Sequence, residues 1–167
     1  MAKGGGGTLE PEQSFSTTTT QRHICFTNKK RIEINKKMMN DKTEKTKHKI
    51  VKLAKLAYDP NSQDVKLMVN MPVIARKNSK AYNIANNDMF TVSKLSDSCC
   101  VLSGGIEIDV KDFQKLFYVA YAITCHKSQG ATFNHQYTIH EFNLFDNALK
   151  YVALSRSTKK AFINIVV

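Results

Sequence analysis

The apolar positions of this chain fall in short clusters separated by polar punctuation. His23-Ile-Cys-Phe-Thr27 reads as a buried strand. Asn28 follows as the N-cap of a helix over about 29–40, with Ile32, Ile34, Met38 and Met39 as its apolar contacts. Residues 41–49 are almost wholly polar. A second helix is expected over 47–58, where Ile50, Val51, Leu53, Ala54, Ala57 and Tyr58 make an apolar stripe beside Lys47, Lys49, Lys52 and Lys55. Asp59-Pro-Asn-Ser then stops it. From Val65 the pattern shortens to Val65–Val69, Met71–Ala75, Met89–Ser93, Cys99–Leu102 and Ile106–Val110, the last two joined across Ser103-Gly-Gly105. Short strands with tight turns over 65–112 predict a small antiparallel barrel. Phe117–Cys125 reads as a longer buried strand, followed by a polar loop over 126–132. Tyr137–Phe142 is a further strand, Asn147–Ser155 a short helix ending near Arg156, and Phe162–Val167 a terminal strand of the parallel-sheet type. The expected architecture is α/β at both ends with an all-β insertion in the middle.

Composition narrows the class. The chain has 167 residues, of which 42% are hydrophobic, enough for the core of one medium domain, or of one domain carrying a small insertion. No apolar run approaches the roughly 20 residues that span a bilayer, and Met1 is followed by glycines and polar residues, unlike a secretory leader. Residues 1–20, rich in Gly and Thr, read as a disordered tail or linker. Cys25, Cys99, Cys100 and Cys125 show no disulfide framework, so reduced thiols in an intracellular protein, cytoplasmic or nuclear, are expected. His23-x-Cys25 and Cys125-His126 lack the paired spacing of a zinc site, and no metal site is assigned.

Charge changes the picture more. The net charge is +11, and residues 22–55 hold 12 Lys/Arg against three acids, so +9 of it sits in one fifth of the chain. Two readings remain open: contact with a polyanion, nucleic acid first, or a solvated lysine-rich helical surface.

The candidate chemistry gathers in the stretch Tyr118–Phe133. An apolar run delivers Thr124, His126, Lys127, Ser128 and Gln129 to one tight loop closed by Gly130. A cation, hydroxyl and amide donors and a glycine suit phosphate binding, and equally describe an ordinary turn. The chain holds no G-x-x-x-x-G-K-[ST], and the four glycines of the tail are followed by no Gly-Lys-Ser/Thr.

Three segments then line up in order. Ile24-Cys-Phe-Thr-Asn-Lys-Lys-Arg31 with Asn35, Ala120-Tyr-Ala-Ile-Thr-Cys-His-Lys-Ser-Gln-Gly-Ala-Thr-Phe133, and Tyr151-Val-Ala-Leu-Ser-Arg156 resemble helicase motifs IVa, V and VI. The family is superfamily one helicases of the RecD, Dda and petite-integration-frequency branch, and within it the chain is most similar to helicases of large DNA viruses. Asp64–Ala75 with Asn78, Asn86 and Asn87 resembles the approach to its SH3-like 2B insertion.

The resemblance implies a RecA-like parallel sheet with helices, domain 2A, over 21–64 and 113–167, carrying the SH3-like insertion over 65–112. It implies an ATP-driven motor on single-stranded or fork DNA, moving 5′ to 3′, in replication, recombination or repair. ATP with Mg2+ would lie against an N-terminal RecA-like domain that supplies the phosphate loop and the magnesium carboxylates. Arg156 is implied as the arginine finger, and Gln129 and Gly130 as the nucleotide edge. Thr124, His126, Lys127, Ser128 and Thr132 are implied to contact DNA and relay nucleotide state, with Thr27, Asn28 and Lys29 on the DNA backbone. Asn28 as a mere helix cap stands beside that role. Tyr82, Phe90 and Phe113 are candidates for base stacking or, for the two Phe, core packing. Ala131-Thr132-Phe133 departs from the family pattern after the motif V glycine, which puts a ribose contact there in doubt. The alternative function is a non-enzymatic module for single-stranded nucleic acid with the same fold.

Overall fold

The computed structural model describes residues 20–167, so the expected tail lies outside the described residues except for Thr20. Thr20 is buried, with its hydroxyl 2.7 Å from that of Thr138. The elements in order are β1 (His23–Cys25), α1 (Asn28–Lys45), β2 (Val51–Leu53), β3 (Val65–Leu67), β4 (Pro72–Ala75), β5 (Met89–Leu95), β6 (Cys99–Leu102) and β7 (Glu107–Asp109). Then come α2 (Phe113–Leu116), β8 (Phe117–Val119), β9 (Ala122–Thr124), β10 (Tyr137–Ile139), α3 (Asn147–Leu154) and β11 (Ile163–Ile165). Two compact units result: residues 20–31 with 122–167, and Ile32–Tyr121.

The first unit is built on a four-stranded sheet in the order β11-β10-β1-β9, with each pair parallel. Its two inner strands are mostly apolar: Ile24, Cys25, Tyr137 and Ile139 are fully buried. β11 lies at the edge and is only half-buried, although its sequence is as apolar as that of an inner strand. α3 is capped by Asp146, whose carboxylate accepts the Leu149 N–H at 2.8 Å.

The second unit carries a five-stranded antiparallel sheet, β7-β6-β5-β4-β8, and a two-stranded ribbon, β2-β3. The antiparallel insertion expected from the short strands is present as strands. The sheet also recruits β8, which lies beyond residue 112, and runs from β7 at one edge to β8 at the other. Phe113 and Phe117 stack at 5.5 Å between centroids, and Phe90 meets Phe117 edge-on at 6.1 Å, so both Phe candidates for base stacking are packing residues. Tyr82 spends its hydroxyl on Asp112, at 2.8 Å.

Three local expectations are corrected. The helix of 47–58 is absent; Val51–Leu53 forms a strand paired with Val65–Leu67. The single buried strand of Phe117–Cys125 is two strands, β8 antiparallel to β4 and β9 parallel to β1, with the Ala120 N–H bond to Pro72 O as the last of the first pairing. α1 continues to Lys45 rather than stopping near residue 40. Its buried Met38 and Met39 extend the apolar side that Ile34 begins.

Candidate nucleic-acid and nucleotide site

The carboxyl ends of parallel strands are where α/β sheets present their ligand-binding loops, and the predicted residues of the first unit gather there. β1 and β9 are neighbours with Cys25 opposite Thr124, and the pairing continues one step as Cys125 N–H donates to Cys25 O at 2.8 Å. Thr27, Asn28 and Lys29 therefore leave β1 beside the point where Thr124 to Ser128 leave β9.

Thr27, not Asn28, caps α1. The Thr27 hydroxyl oxygen accepts the Lys30 N–H at 3.1 Å, and its carbonyl accepts that of Arg31, also at 3.1 Å. Asn28 instead uses Oδ1 to hold the Arg31 guanidinium, at 3.0 Å. Lys29 is exposed. A residue missed in the sequence completes this corner. Glu141 takes a left-handed conformation, φ +57°, and its carboxylate accepts from Phe26 N–H, Thr27 N–H and the Thr27 hydroxyl at 3.0–3.2 Å. A carboxylate placed at the N-terminal end of a helix is electrostatically favoured. No local signal could have found it, because the contact spans 114 residues.

The loop after β9 opens with a 3-10 turn over His126–Ser128. Ser128 is fully buried and donates its hydroxyl to Cys125 O at 2.6 Å, while Thr124 Oγ1 accepts the Lys127 N–H at 3.4 Å. These bonds fold the turn inward and leave His126, Gln129, Gly130 and Thr132 exposed. Gly130 adopts φ +86°, the left-handed region that glycine enters without steric cost. Nothing lies within 4 Å of the position a Cβ would occupy there, so a ligand can approach the backbone.

Arg156 closes the loop. Its Nη1 donates to Ser128 O at 3.3 Å and Ala131 O at 3.2 Å, Nε donates to Val152 O at 3.0 Å, and Nη2 to Ser155 Oγ at 3.2 Å. The main chain repeats the tie: Phe133 N–H donates to Arg156 O at 2.6 Å, and Phe133 bridges Ser157. Of five guanidinium N–H donors, four are engaged, leaving one on Nη2. The cation also reaches the core below. Burial pushes the Cys125 thiol up, opposed by its bond to Ser128 and by the Arg156 charge. Burial likewise pushes the Tyr137 phenol up to about 12, against the pull of Arg156. The neutral Tyr137 hydroxyl donates to Ala153 O at 2.7 Å, joining β10 to α3.

The structure thus brings Thr124, Lys127 and Ser128 together with Arg156, and sets Thr27 beside them under Glu141. It records no bond between Arg156 and the Thr27–Lys29 group. Among the described residues no cluster of three His, Cys, Asp or Glu is placed to hold a metal ion.

These features define a RecA-like α/β fold whose loops at the carboxyl edge of the sheet carry the candidate site. No protein-family model matches the chain, and no curated protein does. Solved structures of Pif1 helicases do. A structure of two coordinating Pif1 helicases at forked double-stranded DNA is 22% identical, with a TM-score of 0.66 over 97% of this chain. Pif1 from Bacteroides, in complex with ADP-AlF3 and single-stranded DNA, is 25% identical, with a TM-score of 0.63 over 91%. Pif1 from Candida albicans is 15% identical, with a TM-score of 0.58 over 90%. The chain spans about 43% of the first of these, 42% of the second and 45% of the third.

Proposed function

We propose that this chain is the second RecA-like domain of an ATP-dependent DNA helicase, which translocates 5′ to 3′ on single-stranded DNA and unwinds duplex. The observation that carries the proposal is the double tie between the loop 126–132 and Arg156, through Nη1 to Ser128 O and Ala131 O and through the Phe133–Ser157 bridge. In this reading Arg156 faces the nucleotide and the loop faces DNA. Any movement of the arginine toward a phosphate must release or drag those carbonyls, and this couples nucleotide state to DNA grip. Thr124, His126, Lys127, Ser128 and Thr132, with Thr27, Asn28 and Lys29 beside them, supply contacts to the DNA backbone, which need charge and donors but no base readout. Gln129 and Gly130 border the nucleotide. ATP with Mg2+ would be held mainly by a first RecA-like domain carrying the phosphate loop that this chain lacks. The likeness to Pif1 structures solved with single-stranded DNA and ADP-AlF3 supports the reading.

The engagement of four of the five Arg156 guanidinium donors and the lack of a phosphate loop favour one other reading, a binding module with the same fold and no motor. Joining the chain to its phosphate-loop domain separates the two. The first reading expects DNA-stimulated ATP hydrolysis that falls roughly 10³- to 10⁵-fold in Arg156→Ala, with single-strand affinity largely kept. Undiminished hydrolysis in that variant would remove the finger role, and no hydrolysis in the joined parent would leave the module.

A further inference from the structure

The basic segment after α1 takes no part in the site described above. In the second unit β2 and β3 carry the same tripeptide, Val-Lys-Leu, and pair with Lys52 directly opposite Lys66. Strand alternation sets the valines and leucines on one face, where Val65 and Leu67 are buried, and both lysines on the other. Like charges directly opposite one another destabilise a strand pair. Among the described residues neither lysine is in an ion pair. Lys66 donates to the neutral amide oxygen of Asn40, at 2.9 Å, and Lys52 is exposed. Lys49 is already neutralised by Asp97, at 2.7 Å.

The connection that follows β2 is held firmly. Asp64 Oδ1 accepts the Lys55 N–H, Ser62 Oγ accepts the Leu56 N–H, both at 2.9 Å, and Asp59 is bound by the Arg76 guanidinium. Within this fixed turn the Tyr58 side chain stands 74% exposed, the most of any described large hydrophobic residue. An aromatic ring held in water in the turn that follows a strand pair bearing ammonium groups without an ion pair is the composition of a single-strand platform: cations follow the backbone and the ring stacks on an unpaired base.

We propose that Tyr58 with Lys52 and Lys66 forms a second contact for single-stranded nucleic acid, on the second unit. Its partner class rests on the proposed function; its residues do not. The test is anisotropy of a labelled oligothymidylate with the full chain over a salt series, with matched melting curves for every variant. Tyr58→Ala is expected to weaken binding roughly 5- to 100-fold, and Tyr58→Phe, which keeps the ring, to stay close to the parent. Lys52→Ala should lower the slope of log affinity against log salt by about 0.7, one single-strand phosphate contact. A duplex offers no unpaired base, so Tyr58→Ala should leave duplex binding unchanged. Lys127→Ala reports the first unit separately. If Tyr58→Ala binds the single strand as tightly as the parent, the second contact is overturned, and weakening by Lys127→Ala would then leave the proposed function standing. Equal loss on single strand and duplex overturns the stacking role. If the parent binds no single strand, both proposals fall together.

Discussion

Arg156 and Gly130 show how one side chain and one missing side chain shape the loop between them. The guanidinium satisfies two loop carbonyls, and Gly130 supplies the left-handed turn that brings those carbonyls round. Because nothing lies within 4 Å of an added Cβ, Gly130→Ala meets no steric clash, and its cost is purely conformational, about 1–2 kcal/mol. Urea unfolding should show a lower midpoint at unchanged slope. An unchanged midpoint would mean that the loop does not hold φ +86°. The residue types of this corner were legible from sequence, since a strand end followed by a cation, donors and glycine is a local pattern. The cap was not: Asn28 is the better cap by type, and only the Lys30 N–H on Thr27 Oγ1 shows that Thr27 holds the position.

At the scale of elements, the ribbon β2-β3 shows where pattern reading fails. Residues 50–58 fit a helical stripe, but Val51-Lys-Leu53 also alternates, and the same tripeptide at Val65-Lys-Leu67 provides a strand to pair with. Pairing buries Leu67 completely, whereas Leu53 remains half-exposed. Leu67→Ala should therefore cost about 2–5 kcal/mol and Leu53→Ala clearly less, measured by chemical denaturation. Equal costs would contradict the one-sided burial of the ribbon. Phe117–Cys125 failed for a related reason. A continuous apolar run without glycine or proline carries no mark of where one sheet ends and another begins.

At the scale of the molecule, stability should depend on pH through His140. Burial, and then the charge of Lys30, lower its pKa from 6.5 to about 4. Its ring stands 2.9 Å from His23, nitrogen to nitrogen, between the carboxyl end of β10 and the start of β1. A histidine with a depressed folded pKa binds its proton more readily when unfolded. Its contribution is therefore complete above pH 6.5 and is lost as pH falls toward about 4, by up to roughly 3 kcal/mol. Unfolding midpoints measured from pH 7 to 4 should fall across that window, and His140→Gln should flatten the slope. A slope that survives the substitution would place the titration elsewhere.

What the sequence determined by itself is local chemistry. The strand His23–Cys25, the helix after Asn28, the donor-rich loop closed by Gly130 and the arginine after Asn147–Leu154 all follow from nearest neighbours, because periodicity, caps and turn residues act within a few positions. The RecA-like fold was reached from those segments in order, and the parallel sheet bears it out. Tertiary structure alone decided the order β11-β10-β1-β9, the division of Phe117–Cys125 between two sheets, the seat of Glu141 on Thr27 and the grip of Arg156 on the loop. Each of these pairs a backbone or side-chain donor with an acceptor far away in the chain. A buried polar group must find such a partner, but which one it finds is set only when the sheet is assembled.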